Sequence, residues 1–91
     1  MSQRFKISVH KNSDNLHLKL TGEFDGSSAL QLINYLKRIG HGVSTVFIHT
    51  NCLKDIHPFG QHIFLRQLSN LKRKAVSYVF TGEKASQLEI G

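Results

Sequence analysis

Between positions 49 and 57 stand His49, Cys52 and His57, whose imidazole and thiol groups suit zinc or copper, with Asp25 or Asp55 available as a fourth ligand. Their spacing matches no compact zinc motif, and loop histidines beside a passive thiol explain the same residues more simply. A second set, Asp25, Ser28 and His57, has the residue types of a hydroxyl nucleophile served by a base. Ser27 and Ser28 directly follow Asp25-Gly26, however, where such side chains cap helices, and no G-x-S-x-G, H-E-x-x-H or glycine-rich phosphate loop accompanies them. The sparse carboxylates show no pairing suited to acid and base work. The expectation is a chain that is not an enzyme and needs neither metal nor cofactor. The six histidines would make a docking surface pH-dependent if they clustered on it, because an imidazole gains charge below about pH 6.5, but they are scattered through the sequence.

Twelve Lys and Arg against six Asp and Glu give a net charge of +6, enough to attract acidic proteins, nucleic acid or phosphate groups from a distance. The cations are spread out, with one compact run at Lys72, Arg73 and Lys74 and Arg66 near it. No nucleic-acid motif accompanies that run, and a helix ending in cations is explained by dipole complementarity and solubility, so nucleic acid is not the expected partner. With 91 residues, 40% of them apolar, the chain reads as one folded domain, 1–91, too small for a large internal substrate cavity. No apolar run approaches the roughly 18 residues of a membrane span or forms a signal-peptide core. The single cysteine has no internal disulfide partner, and the whole reads as cytoplasmic.

What must position these residues follows from hydrophobic spacing. Phe5, Ile7 and Val9, then Leu16, Leu18 and Leu20, alternate with polar residues, and Lys11 to Asn15 is turn chemistry, so a hairpin is predicted. Gly22 is expected to end the second strand. Asp25 to Ser28 then caps a helix whose stripe is Ala29, Leu30, Leu32, Ile33, Leu36 and Ile39, with Gly40 as its stop. Val46, Phe47 and Ile48 read as a central strand buried on both sides, and Thr50 to Asp55 as a polar loop. Pro58 opens a second helix with Gly60, Phe64, Leu68 and Leu71 on its buried face, widened by Ile63 and Leu65. Val76 to Phe80 is a last strand, and Gly82 to Ile90, capped by Thr81, a third helix. The order β-β-α-β-α-β-α predicts an α/β fold, a mixed sheet with helices packed on it.

Two segments resemble the sulphate transporter and anti-sigma factor antagonist (STAS) domain. Gly22-Glu23-Phe24-Asp25-Gly26-Ser27-Ser28-Ala29 is similar to the family's G-E-[LF]-D-x-x-[SA]-A stretch, and Val46 to Asn51 followed by Ile56-His57-Pro58-Phe59-Gly60 takes the place of V-x-L-D-L-S and I-D-S-[ST]-G. The resemblance implies a STAS-like domain that binds proteins, in the manner of a stand-alone anti-sigma factor antagonist, or a small subunit of a lipid-handling ABC transporter. In regulatory members the first serine of D-S-[ST]-G is phosphorylated; here that position is Pro58, followed by Phe59, so no phosphoacceptor stands there. His49 and His57 likewise replace two family aspartates.

In such a fold Asp25, His49 and His57 should gather at one end of the sheet, beside the second helix. The expected contact surface is Asp25, Ser27, His57, Pro58, Phe59 and Gln61, with Phe59 either an interface anchor or a core residue. Fewer carboxylates and more imidazoles favour an acidic or phosphate-bearing partner. A short third helix would leave apolar surface that a homodimer could cover, and monomer and homodimer both fit.

Overall fold

The computed structural model describes residues 4–39, 42–71 and 76–88. Four strands, β1 (Lys6–Asn12), β2 (Asn15–Phe24), β3 (Thr45–Ile56) and β4 (Ser77–Thr81), form one sheet in the order β1-β2-β3-β4. The first pair is antiparallel across a turn at Ser13 and Asp14; β2–β3 and β3–β4 are parallel. Each parallel pair needs a crossover, supplied by α1 (Gly26–Lys37) and α2 (Pro58–Leu71). Crossovers of one hand between strands added in one direction put both helices on the same side. The two helices pack on each other, and α3 (Ala85–Leu88) packs on α2, β3 and β4.

Among the described residues, the buried apolar side chains belong to one cluster: Leu16, Leu18, Leu20 and Phe24 of β2, Val46, Ile48 and Leu53 of β3, the inner stripes of α1 and α2, and Leu88. Edge-to-face rings run across it, Phe5 on Phe24, Phe24 on Phe64 and Phe64 on Phe80, with centroids 5.6–6.0 Å apart. Such contacts add to the burial of large apolar rings.

Several elements depart from the sequence expectations. Gly22 lies inside β2 instead of ending it: with φ at +89° it sits between two register shifts against β3, and an added Cβ would strike the backbone of Arg4. The segment Thr50 to Asp55 is strand, not loop. Its alternation is hidden because the register shift between Lys19 and Thr21 places an extra residue on β3, so that Thr50 and Leu53, three apart, are both buried. Central β3 is buried on one side only, with Val46 and Ile48 inside and Phe47 half-buried on the other face. Leu30 falls outside the buried stripe of α1 and is 47% exposed. The third helix starts at Ala85 because Gly82, at φ +100°, first closes a turn in which the Ala85 N–H donates to its carbonyl (3.1 Å); Thr81 ends β4 and does not cap. Gly40, the run Lys72 to Lys74 and the end of the third helix lie outside the described residues.

Candidate docking edge

The two long helices begin side by side. Asp25 is extended (φ −110°, ψ −168°) and caps α1: its Oδ1 accepts from the Ser28 N–H and from the Ser28 hydroxyl, both at 2.9 Å. The hydroxyl also lies 2.9 Å from the Glu23 carbonyl, and Ser28 is buried. The Ser28 N–H, and then its hydroxyl, hold the Asp25 carboxyl below its ordinary 3.8, with a smaller attraction from His57. Ser28 therefore faces its cap and not an imidazole, and the set Asp25, Ser28, His57 is a helix start, not a catalytic triad.

His57 joins the edge through both ends of its backbone. Its N–H donates to the Phe24 carbonyl and its own carbonyl accepts from the Gln61 N–H, both at 2.9 Å, so it precedes α2 as Asp25 precedes α1. Its Nε2 lies 3.4 Å from Glu23 Oε1. Glu23 thus joins this edge beside Asp25, a residue that the sequence expectations leave out although the G-E motif contains it.

Pro58 and Phe59 follow, both exposed, and Phe59 is 69% exposed, which decides for the surface reading of this ring over the core reading. Its support is Gly26, where an added Cβ would stand 3.0 Å from two atoms of the Phe59 ring and 3.4 Å from the end of Ile63. Gly60 is buried because α2 rides on the backbone of Asp25: an added Cβ would lie 2.6 Å from the Asp25 carbonyl carbon and oxygen. Leu30 is one turn along α1 from Gly26, so Phe59 and Leu30 give this edge two exposed apolar groups. Ser27 is exposed beside them, whereas the Gln61 amide is spent on the Gln87 carbonyl (2.9 Å).

His49 is not at this edge. It projects from the middle of β3 on the face opposite the helices, where Nε2 meets His17 Nδ1 at 2.9 Å and Nδ1 meets Thr81 Oγ1 at 2.6 Å. The expected gathering of Asp25, His49 and His57 is thus corrected: β3 continues as strand beyond His49 and carries His57 a further eight residues along the sheet. For the same reason His49, Cys52 and His57 do not converge, and no group of three or more His, Cys, Asp or Glu able to hold a metal occurs among the described residues.

Burial holds His49 below the ordinary imidazole value of 6.5, and His17 beside it adds to the shift. A histidine whose folded value is depressed binds fewer protons folded than unfolded, so its stabilisation is present above pH 6.5 and is lost as pH falls from there through the folded value. The urea midpoint of the native chain should therefore fall between about pH 7.5 and about pH 5.5, and that of His49→Gln should fall less. Parallel pH slopes for the two proteins would contradict this.

No family model matches the sequence, and no curated protein matches it. Solved structures do match in fold. A segment of Mglu superposes with a TM-score of 0.73 at 18% identity, covering 85% of this chain but only 19% of that one. An anti-sigma factor antagonist from Mycobacterium paratuberculosis gives 0.65 at 15% identity, over 92% of this chain and 73% of the other. An antisigma-factor antagonist STAS domain from Rhodobacter sphaeroides gives 0.65 at 11%, over 94% and 96%. At these identities the likeness establishes architecture. Among the described residues no helix is long and apolar enough to cross a membrane.

Proposed function

We propose that this chain, which has a STAS-like fold, is a non-catalytic regulatory protein that docks a protein partner on the edge formed by the starts of α1 and α2. The observation that carries the proposal is Phe59: a large ring held 69% exposed at the head of α2 and seated on Gly26 of the neighbouring helix, on which Leu30 is also exposed. A ring presented on a rigid helix start loses little conformational freedom on binding and can fill a partner's pocket. Asp25, Ser27 and His57 form its polar rim, and Pro58 adjoins the ring. Gln61, tied to α3, acts by fixing that helix against the edge.

Docking here is independent of phosphorylation at the family position, because Pro58 has no hydroxyl and Phe59 offers none. The net charge of +6 steers an acidic partner toward the molecule, while the contact itself is apolar. Glu23 and Asp55 keep the rim mixed in sign, so charge governs encounter more than grip.

The experiment is affinity capture from native cytosol with the wild type beside Phe59→Ala. Since Phe59 is mostly exposed, the variant should melt within a few degrees of the wild type, about 1 kcal/mol or less, yet lose the partner. If both proteins retain the same set, or neither retains anything, the edge is not the docking surface.

A further inference from the structure

The side of the sheet away from the helices carries a second surface. Paired residues on neighbouring strands share a face, and the pairs Lys6–Thr21, Ser8–Lys19 and His10–His17, then His17–Phe47 and Phe47–Val79, assign to it one residue in two from every strand. Lys6, His10, Lys19 and Val79 are exposed, and among the described residues no helix packs there.

Its centre is a flat aromatic plate. The rings of His17 and His49 lie within 6° of parallel with centroids 5.2 Å apart, while their nearest nitrogens are 2.9 Å apart. That combination is what two imidazoles show when joined nitrogen to nitrogen in a common plane, sharing one N–H, so the pair is edge to edge and not face to face. Phe47 lies 9° from parallel with its centroid 4.6 Å from that of His17, too close for an edge contact, and is stacked on the plate. Thr81 locks the far end through His49 Nδ1. On the β1 side the ring of His10, paired with His17, stands with its centroid 6.5 Å away and tilted by 58°, so it borders the plate without stacking on it. Lys19, opposite His49, and Lys6, opposite Thr21, both stand on one side of it, between the plate and the Glu23–Asp55 pair near the ends of the strands.

We propose that this face binds single-stranded nucleic acid. A preformed π surface accepts an unpaired base of any sequence, and the cations beside it accept the phosphates of the adjoining nucleotides; these are the two requirements of sequence-tolerant single-strand binding. A duplex offers no base face to such a plate. A second copy of the chain is disfavoured as occupant, because face-to-face contact would bring Lys6 and Lys19 against like charges. The surface is separate from the edge around Phe59, so either assignment stands or falls without the other.

The test is fluorescence anisotropy of labelled oligo-dT and oligo-U, roughly 15 nucleotides long, with the full chain at several salt concentrations. Wild type should bind both, more weakly as salt rises, and should prefer them to a duplex of equal length. Lys6→Gln with Lys19→Gln, exposed changes that leave the core intact, should weaken binding and reduce the salt slope by about 1.4. Phe47→Leu, checked for folding by its melt, should bind roughly tenfold more weakly at fixed salt, and Phe59→Ala should bind like wild type. The proposal is overturned by absence of binding at low salt, by binding that neither set of changes alters, or by equal affinity for duplex. It is overturned equally if phosphatidylglycerol vesicles are bound through the same residues while the oligonucleotides are not, or if light scattering shows the two lysines to lie in a self-association interface.

Discussion

Phe64→Ala should lower the thermal midpoint of this domain by roughly 15–30 °C, the largest loss expected from any single change considered, corresponding to about 3–5 kcal/mol. The side chain is fully buried and meets Phe24 at 5.8 Å and Phe80 at 6.0 Å, edge to face in both cases. Its removal therefore empties a place where α2, the end of β2 and β4 meet. Neighbouring rings cannot collapse into that space, because Phe24 is also held against Phe5 (5.6 Å) and its strand is pinned between β1 and β3. A domain of this size has only about 5–15 kcal/mol of stability to lose, so a substantial unfolded fraction at ambient temperature is the expected phenotype. Thermal denaturation followed by far-UV circular dichroism measures it; a midpoint within a few degrees of wild type would mean that the ring ladder contributes nothing beyond ordinary contacts.

Gly60→Ala should also destabilise, against the direction of helix propensity. Alanine is the better helix former by about 1 kcal/mol, and position 60 lies in the first turn of α2, so a purely local account predicts a gain. The structure opposes it: the new Cβ would stand 2.6 Å from the Asp25 carbonyl carbon and oxygen and 2.9 Å from its Cα, all backbone atoms that no rotamer change can move. Relief requires α2 to retreat from the start of α1, straining the bond between the His57 N–H and the Phe24 carbonyl. A net loss of roughly 1–3 kcal/mol is expected, as for other overpacked sites. The same retreat lifts Phe59 from Gly26, so partner capture should weaken even in molecules that remain folded. Unchanged or raised stability would show that the helix slides without resistance and would remove the case for a rigid edge.

Much of this architecture was legible in the residues. Strand alternation at Leu16, Leu18 and Leu20, the Asp25 cap, the Pro58 helix start and the stripe Gly60, Phe64, Leu68 and Leu71 each carry a local physical signal, and the structure uses each as read. What escaped was non-local. The shifts in register around Gly22 and Thr50 break the period of two, so β3 looked like a short buried run followed by a loop, and His49 was assigned to an edge that it does not reach. Reading Val46 and Ile48 as alternating with Phe47 and His49 would have set the latter pair beside His17 on one face. Phe59 could not be assigned from sequence, because an aromatic in the first turn of a helix packs inward or outward according to what lies opposite. Here Gly26, thirty-three residues earlier, leaves room for it at the surface.

The sheet order β1-β2-β3-β4 has a further consequence for how the molecule is made. Every strand pairs with the one synthesised immediately before it, and each helix that joins them lands on the side where its predecessor already lies. As the nascent chain lengthens, the hairpin forms the template, α1 and β3 close over it, and α2 and β4 extend the same layer, so no segment has to wait for a partner still to be translated. One edge of the sheet, β1, is in place from the start, and strands are added only at the other. A sheet with an inserted strand would instead hold a gap until the missing sequence emerged, and this one never does.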